Sequence, residues 1–181
     1  MNENLLRGVN IRLRALEPAD VDLLYEWEND TAIWKVSNTL TPFSRFQLEE
    51  YVMNAQQDIF VARQLRLIID RIRPGEPDIP AGTIDLFDFD PFHLRAGIGI
   101  LIREEFREQG FAREALQILI GYTFTTLRIH QLFCNISPDN SISMKLFGNL
   151  GFVRCGVKKD WLNEGGRWKE EWMFQLINQN E

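Results

Sequence analysis

Hydrophobic residues recur along the chain at two spacings, and each spacing predicts a different element. Alternation of apolar and polar residues is the period of a β-strand with one buried face. Ile11 and Leu13, for example, alternate with Arg12 and Arg14. Alternation of this kind, or a short continuous apolar run, predicts strands at residues 11–14, 59–62, 65–72, 82–89, 96–102, 132–136, 152–159 and 167–177.

Other segments carry apolar residues at helical spacing, together with signals for a helix start or end. Pro18 stands in a favourable first-turn position, and Ser44 is placed to cap the helix that follows it. Gly151 can adopt positive φ and so close the last turn of a helix before it. The predicted helices are 18–29, 44–56 with its end near Gln56, 112–125 and 140–150.

The order of these elements predicts the fold class. A strand comes first, two helices and several strands follow, and the second half runs helix, strand, helix, strand, strand. This order predicts an α+β protein in which helices cover a mixed central sheet, and it excludes a doubly wound parallel fold. At 181 residues, the chain is expected to form a single domain over residues 1–181. The turn-rich segment 73–80 is predicted to be a surface loop.

Charge and composition restrict the function classes. A net charge of −6 disfavours nucleic acid as a partner and suits a cationic small molecule. No apolar stretch approaches the ~18 residues of a membrane-spanning helix, so no membrane is expected as a partner. The first residues, with Asn2, Glu3 and Asn4, lack the basic and apolar segments of an export signal. We therefore expect a cytoplasmic location.

Cysteine and histidine are too few for a metal site. Cys134 and Cys155 lie in apolar, strand-like stretches, which predicts two buried and reduced thiols rather than a disulfide. His93 and His130 do not combine with them at the spacing of a zinc site. No metal cofactor is expected.

The segment from Arg103 to Arg113 joins a predicted strand to a predicted helix and suits an anion. A helix N-terminus presents unpaired N–H groups and a partial positive charge. Gly110 and Ala112 carry little or no side chain, so a diphosphate can approach the main chain closely. A purely structural turn also favours glycine, and Gly110 alone does not decide between the two. The spacing matches neither a Walker loop nor Gly-x-Gly-x-x-Gly.

Two motifs together resemble the GNAT acyltransferase superfamily. Arg107-x-x-Gly110-x-Ala112 resembles its coenzyme A pyrophosphate loop, and residues 140–152, Asn-Ser-Ile-Ser-Met-Lys-Leu-Phe-Gly-Asn-Leu-Gly-Phe, resemble its second signature. With the element order, the resemblance covers essentially the whole chain. It implies the GNAT acyl-CoA N-acyltransferase fold, a splayed central mixed sheet flanked by helices, and an N-acetyltransferase that uses acetyl-CoA. Residues 82–88 and the closing Gly151-Phe152 segment further resemble spermidine and diamine N-acetyltransferases and, slightly less, ribosomal-protein N-terminal acetyltransferases.

The resemblance also implies where coenzyme A binds. The main chain of the splayed strand is expected to pair with pantetheine as an added strand would. The residues implied to contact the cofactor are Ile100, Leu101, Ile102, Arg107, Glu108, Gln109, Gly110, Phe111, Ala112, Arg113, Asn140, Lys145 and Phe147. Asn140 can equally be the N-cap of its helix, and Lys145 can equally be a solvated lysine.

An amine acceptor needs a base, because an alkyl amine of pKa about 10.4 costs about 4 to 5 kcal/mol to deprotonate at pH 7. Asp85, on a central strand, is the first candidate, directly or through water. Asp88, Glu26 and Glu28 are second candidates, or anchors for a distal ammonium group. Each of these carboxylates can equally be an ordinary surface group. A main-chain N–H near Leu101 is expected to stabilise the oxyanion that attack on the thioester produces.

Phe147 departs from the second signature, which normally has tyrosine at that place. The resemblance assigns the tyrosine phenol as the acid that protonates the departing sulfur, and phenylalanine cannot donate a proton. A thiol of pKa about 8.5 leaves as thiolate at a cost near ~2 kcal/mol at pH 7, so turnover is expected to be slowed rather than abolished. Water, Tyr122 or Cys155 are alternative donors.

Three functions stay open at this point. The first is acetyl transfer to a polyamine or diamine such as spermidine. The second is a ribosomal-protein-type N-terminal acetyltransferase, whose acceptor is a peptide N-terminus. The third, motivated by the missing tyrosine, is a coenzyme A binding sensor or interaction module without turnover. Members of the family often dimerise, so a homo-oligomer is expected as well.

Overall fold

Strands of a single sheet make up the centre of the molecule. The computed structural model describes residues 5–37, 39–55 and 57–179. Its strands are β1 (Ile11–Ala15), β2 (Leu65–Arg71), β3 (Ile79–Asp90), β4 (Arg95–Ile102), β5 (Gln131–Ile136), β6 (Val153–Glu164) and β7 (Arg167–Ile177). They lie in the order β1-β2-β3-β4-β5-β7-β6.

Helices occupy the connections between the strands. The α-helices are α1 (Val21–Glu28), α2 (Trp34–Ser37), α3 (Arg45–Asn54), α4 (Ile59–Ala62), α5 (Phe111–Thr125) and α6 (Ser141–Gly148). Single 3-10 turns precede α1 at Pro18–Asp20 and follow β4 at Glu104–Phe106. No helix within the described ranges has both the length and the apolar character that crossing a membrane requires.

One pair of neighbouring strands differs from the others in direction. β4 and β5 are parallel, whereas every other neighbouring pair in the sheet is antiparallel. The parallel pair needs a crossover connection, and α5 provides it. The mixed sheet and the α+β class predicted from the element order are thereby confirmed.

Both faces of the sheet are covered. In β2, Leu67 and Ile69 belong to the larger hydrophobic cluster, which also contains Leu116 and Leu119 of α5. Ile68, between them, points to the other face and belongs to a smaller cluster with side chains of α1 and α3. Burial on both faces explains why this part of the sequence is a continuous apolar run instead of an alternating one.

The parallel pair separates after three residues. Arg95, Ala96 and Gly97 of β4 pair with Gln131, Leu132 and Phe133 of β5, in that order. β4 then continues to Ile102 without a β5 partner, while β5 stays paired with β7 along its whole length. Because β7 holds the far edge of β5, the two strands diverge and leave an opening between them. The splayed sheet implied by the resemblance is present.

Two predictions about secondary structure are wrong. Residues 59–62 form the short helix α4 instead of a strand, because Asp58 caps it by accepting a hydrogen bond from the Phe60 amide at 2.7 Å. Four apolar residues in a row fit either element by pattern alone. The predicted loop 73–80 is also too long, since β3 already begins at Ile79.

The two cysteines differ in burial. Both are free thiols, and Cys134 is buried as predicted. Cys155 is exposed, so the prediction of two buried thiols is wrong for this residue. Cys155 lies at a shift in the β6–β7 register, between Arg154 and Gly156, where the regular alternation of β6 is interrupted. Gln56 and the first residues Asn2, Glu3 and Asn4, on which other predictions depend, lie outside the described residues.

Gly97 is the point at which β4 and β5 part, and its lack of a side chain is needed there. A Cβ atom at this position would lie 2.2 Å from a carbon of the Phe87 ring. That ring packs edge-on against Phe133 of β5, with centroids 5.8 Å apart. We therefore expect Gly97→Ala to lower the free energy of unfolding by about 1–3 kcal/mol through overpacking, measured by urea denaturation.

Gly121→Ala is the control, because Gly121 lies inside α5 and has open space at the Cβ position. Alanine in a helix interior should raise the free energy of unfolding by about 0.5–1 kcal/mol. Equal effects of the two substitutions would show that Phe87 does not need the space above Gly97.

Candidate active site

A cavity of about 710 Å³ occupies the opening between β4 and β5. β3 and β4 form one wall through Asp85, Gly99 and Ile100, and β5 and the turn after it form another through Asn135 and Ser137. Further lining comes from Glu28, Ile33 and Ser37, from α6 and from the β6–β7 hairpin. The divergence of the two strands thus produces a site that carries both polar main-chain groups and charged side chains.

The register of β4 decides which main-chain groups face the opening. The Arg103 amide donates to the Ala81 carbonyl at 2.9 Å, so these two residues form a hydrogen-bonded pair. Leu101 lies two residues before Arg103 on β4 and is opposite Thr83 of β3. Hydrogen-bonded pairs alternate along an antiparallel ladder, so the Leu101 N–H points to β3. Ile100 and Ile102 therefore present their N–H groups to the opening, beside which β5 has turned away.

The segment between β4 and α5 has the main-chain geometry of an anion site. Gly110 is the N-cap of α5, with φ of 84°, and provides no side-chain cap. By contrast, Ser44, Asp58 and Asn140 each cap their own helices by accepting a hydrogen bond from a first-turn amide. The space around the missing Cβ of Gly110 is open to at least 4 Å. The first-turn amides of α5 thus remain available to a negatively charged group, and the residues present fit a diphosphate.

Hydrogen bonds inside the segment hold it against the sheet. Arg107 Nε donates to the Ile102 carbonyl at 3.1 Å, and Gln109 Nε2 donates to the Glu105 carbonyl at 2.9 Å. Glu108 has a positive φ of 61°. Arg107, Glu108, Gln109, Gly110 and Arg113 are exposed, Ala112 is half-buried, and Phe111 is buried in the larger core.

The second signature begins at a helix start. Asn140 lines the cavity and caps α6, with its Oδ1 accepting a hydrogen bond from the Ser143 amide at 3.0 Å. Lys145 is exposed on α6 and does not line the cavity. Phe147 lines the cavity but is only 4% exposed, and it packs edge-to-face on Phe152 at 5.1 Å between centroids.

Two of the four candidate carboxylates are brought together by an arginine. Arg66 Nε donates to Asp85 Oδ1 at 2.5 Å, and Arg66 Nη1 donates to Glu28 Oε1 at 2.5 Å. Arg66 and Asp85 are direct partners in the β2–β3 register. Trp34 Nε1 donates to the Glu28 carbonyl at 2.9 Å and so fixes the end of α1. The Arg66 guanidinium also lies over the Tyr51 ring at 5.5 Å.

Burial and charge act in opposite directions on this group. Burial raises the pKa of Asp85, and the positive charge of Arg66 only partly opposes that rise. Burial alone would lower the pKa of Arg66, but the negative charges beside it raise that pKa above its ordinary value. A carboxylate with a raised pKa, beside an open space, has the properties of a general base.

The other two candidate carboxylates do not line the cavity. The Glu26 side chain is 70% exposed, and its nearest cation is Arg103, at 3.9 Å. Asp88 is exposed, with φ of 48°, where the β3–β4 register shifts. The alternation of the strand is interrupted at this register shift.

Several residues around the cavity were not identified from the sequence. Arg66, Asn135, Ser137 and Glu171 all line it. A polar residue inside the apolar stretch 132–136 was a signal for Asn135. Arg66 and Glu171 gave no such signal, because their places follow from strand pairing between segments far apart in the chain.

The alternative proton donors are placed as follows. Neither Tyr122 nor Cys155 lines the cavity, whereas Cys134 does. Burial raises the pKa of the Cys134 thiol to about 12, which makes it a weak acid at neutral pH. Within the described ranges, His, Cys, Asp and Glu side chains form no group of three or more that could hold a metal ion.

Comparison with known proteins agrees with this geometry. The profile of the acetyltransferase (GNAT) domain matches residues 10–153. The uncharacterized N-acetyltransferase p20 of Bacillus licheniformis is 29% identical over 167 residues, which cover 92% of each chain. The spermidine N(1)-acetyltransferase of Vibrio cholerae is 25% identical over 162 residues, 88% of each chain.

A solved structure shows the same fold. The crystal structure of spermidine N-acetyltransferase from Vibrio cholerae, in complex with CoA and spermine, has a TM-score of 0.83 at 22% identity over 94% of this chain and 96% of that chain. The predicted superfamily, its fold and the use of acetyl-CoA are thereby confirmed. The chain belongs to the GNAT acetyltransferase family and is an N-acetyltransferase that uses acetyl-CoA.

Proposed function

We propose that the chain acetylates a primary amine of a small polyamine or diamine such as spermidine. The observation that supports this acceptor is the charge of the cavity. Five carboxylates and one guanidinium line it, from Glu28, Asp85, Asp139, Glu164, Glu171 and Arg66. Even with Lys158 and Lys169, which pair with three of these carboxylates, negative groups exceed positive groups five to three. The names of the spermidine-acetylating relatives agree with a cationic acceptor.

The residues that would hold acetyl-CoA follow from the site. The N–H groups of Ile100 and Ile102 would bind the pantetheine arm, taking the place that a paired β5 would have had. The first turn of α5, from Gly110 onward, would bind the diphosphate. Bound acetyl-CoA supplies an acetyl group activated as a thioester. We assign the hydrogen bond to the thioester carbonyl to the Ile100 amide instead of Leu101, whose amide points to β3.

Asp85 is proposed as the base that takes the amine proton. Its partner in the β3–β4 register is Gly99, so no side chain covers the sheet beside the carboxylate. A Cβ atom at Gly99 would meet only Phe87, at 3.6 Å. An amine can therefore reach Asp85, while Arg66 holds the Asp85 Oδ1 atom in place. Glu28 is proposed to hold Arg66 from the other side, and Glu26 and Asp88 are proposed to contribute only long-range negative charge.

An N-terminal peptide amine is the second candidate acceptor, because the same base and the same cofactor groups serve any primary amine. A homo-oligomer and a cytoplasmic location stay predictions from the sequence. The acceptor itself is decided by experiment.

Thiol release from acetyl-CoA should occur with spermidine, spermine and small diamines, and more slowly with N-terminal peptides. Asp85→Asn should lower kcat with the best amine by about a hundredfold or more, the usual contribution of a general base. Asp22→Asn, which removes an exposed carboxylate paired with Arg45, is the matched control and should leave kcat unchanged.

Thiol release with peptides alone would favour the N-terminal acetyltransferase. Coenzyme A binding without release from any amine would favour the sensor.

Ala112→Glu should weaken coenzyme A binding by about a hundredfold, because it places a negative charge where the diphosphate binds. The same charge at a helix N-terminus favours the helix itself, so thermal stability should be kept or rise. Gln47→Glu is the control: Gln47 is in the first turn of α3, and Glu preserves its capping box. Calorimetric affinities for coenzyme A give the comparison. An unchanged affinity of Ala112→Glu would place the diphosphate elsewhere.

Phe147→Tyr should keep or raise kcat, because the new phenol would enter the cavity that the Phe147 ring already lines and could protonate the leaving sulfur. The gain is limited to the cost of thiolate departure, about 2 kcal/mol at pH 7, or roughly thirtyfold. Steady-state kcat with the acceptor identified above is the measurement. A large loss of kcat in a variant that keeps its unfolding midpoint would show that Phe147 does not occupy the position of the acid.

A further inference from the structure

Two buried oxygen atoms at the carboxyl end of β5 have no hydrogen-bond partner. They are Asn135 Oδ1 and Ser137 Oγ, and both residues line the cavity. A buried polar atom without a partner is costly, and native structures rarely contain one unless a ligand or water completes it. The turn that follows gives the Ser137 carbonyl a partner, the Asn140 amide at 2.9 Å, but it does not serve the hydroxyl.

A buried carboxylate lies on the same face of the neighbouring strand. Asn135 is opposite Met173 in the β5–β7 register, so Glu171, two residues before Met173, points to the same face. Diagonal neighbours of this kind are roughly 7–8 Å apart, within reach of a long side chain. Glu171 is only 7% exposed, lines the same cavity, and accepts a hydrogen bond from Lys158 Nζ through Oε2 at 2.8 Å.

The chemistry of these groups fits one kind of ligand. The Asn135 and Glu171 oxygens are acceptors, and the Ser137 hydroxyl can accept as well. A primary ammonium group carries three N–H donors and one positive charge, which matches three oxygen atoms of which one belongs to a carboxylate. A phosphate or a carboxylate ligand would place negative charge against Glu171.

The position of this group separates it from the reacting amine. Asp85 lies on β3, with β4 between it and β5, and neighbouring strands are about 4.8 Å apart. Because β5 diverges from β4, Asp85 and Asn135 are separated by roughly 10 Å or more. One amine cannot contact both walls, but a molecule with two amines on a carbon chain can.

We propose that Asn135, Ser137 and Glu171 form a subsite for the distal ammonium group of a diamine acceptor, while the other amine reacts beside Asp85. The subsite rests on the proposed function, since it requires an acceptor with two amines. It makes the enzyme selective for dications over monoamines through contacts on the β5–β7 wall.

Hexamethylenediamine and hexylamine are the probes, because they differ only in the second amine. Wild-type protein loaded with coenzyme A should bind the diamine at least about tenfold more tightly by calorimetry. Glu171→Gln, which keeps the side-chain shape, should remove most of this preference and leave the affinity for hexylamine unchanged. Asn135→Asp adds a negative charge and should increase the preference severalfold. With acetyl-CoA, the KM values should change in the same ratios.

Glu170→Gln is the matched control. Glu170 is the next residue on β7, does not line the cavity, and pairs with Lys159 and with Trp172 Nε1 on the other face of the strand. The same loss of charge at this position should leave both affinities unchanged. If Glu170→Gln reproduces the effect of Glu171→Gln, the preference comes from overall charge and the subsite is wrong.

Other outcomes separate the subsite from the proposed function. Equal wild-type affinities for the two probes would overturn the subsite, even if both amines are acetylated. No thiol release from any amine would overturn the proposed function, while the calorimetric comparison still decides the subsite. If Glu171→Gln lowers the unfolding midpoint, the test of the subsite is the increased preference for the diamine that is expected for Asn135→Asp. A merely structural role of these residues cannot produce tighter diamine binding.

Discussion

The separation of β4 from β5 is the constraint on which the rest of the molecule depends. The two strands pair over three residues only, and β5 is held on its other side by six residue pairs with β7. Main-chain groups of β4 beyond Gly97 therefore have no strand partner on this side, although such groups are rarely left unpaired in a folded protein. The pantetheine arm, proposed above to bind here, has its own amide groups and would complete that edge. The same separation makes room for the cavity, and α5 follows β4 in the chain and begins near its end.

Two glycines set where the opening begins and how deep it is. The Phe87 ring crosses above Gly97 and meets Phe133 of β5, so aromatic packing closes the narrow end of the opening. Two residues later, Gly99 again has no side chain, but there a Cβ atom would only touch the Phe87 ring, at 3.6 Å. The sequence Gly-Ile-Gly thus gives first a tight contact and then an open surface, and Asp85 lies beside the open one.

Much of the fold was predictable from the sequence, because its causes are local. Ser44 and Gly110 each stand at the helix start that the pattern predicted, and the alternation around Asp85 gave the right strand. Residues 59–62 were misread because four apolar residues carry no period, and the capping by Asp58 was the only signal.

The parts of the site that could not be predicted depend on contacts between distant segments. Arg66 and Asp85 are 19 residues apart and meet only through the β2–β3 register. Glu171 joins the cavity through the pairing of β5 with β7, and the exposed Cys155 lies at a shift in the β6–β7 register. The sequence pattern shows which residues lie on one face of a strand. It does not show which strand lies next to it.

The distribution of polar groups in the cavity indicates how this chain achieves its chemistry. Among the described residues that line the cavity, Phe147 stands where the resemblance implies a phenol, and burial raises the pKa of the Cys134 thiol to about 12. Proton acceptors and negative charges are abundant. Releasing a thiolate of pKa about 8.5 costs about 2 kcal/mol at pH 7, whereas deprotonating an alkyl amine costs about 4 to 5 kcal/mol. The larger of these two costs is the one that the proposed base, Asp85, would offset. A site of this kind gains more from holding a cationic amine beside a carboxylate than from protonating the leaving group, because binding and deprotonation of the amine depend on the same negative charge.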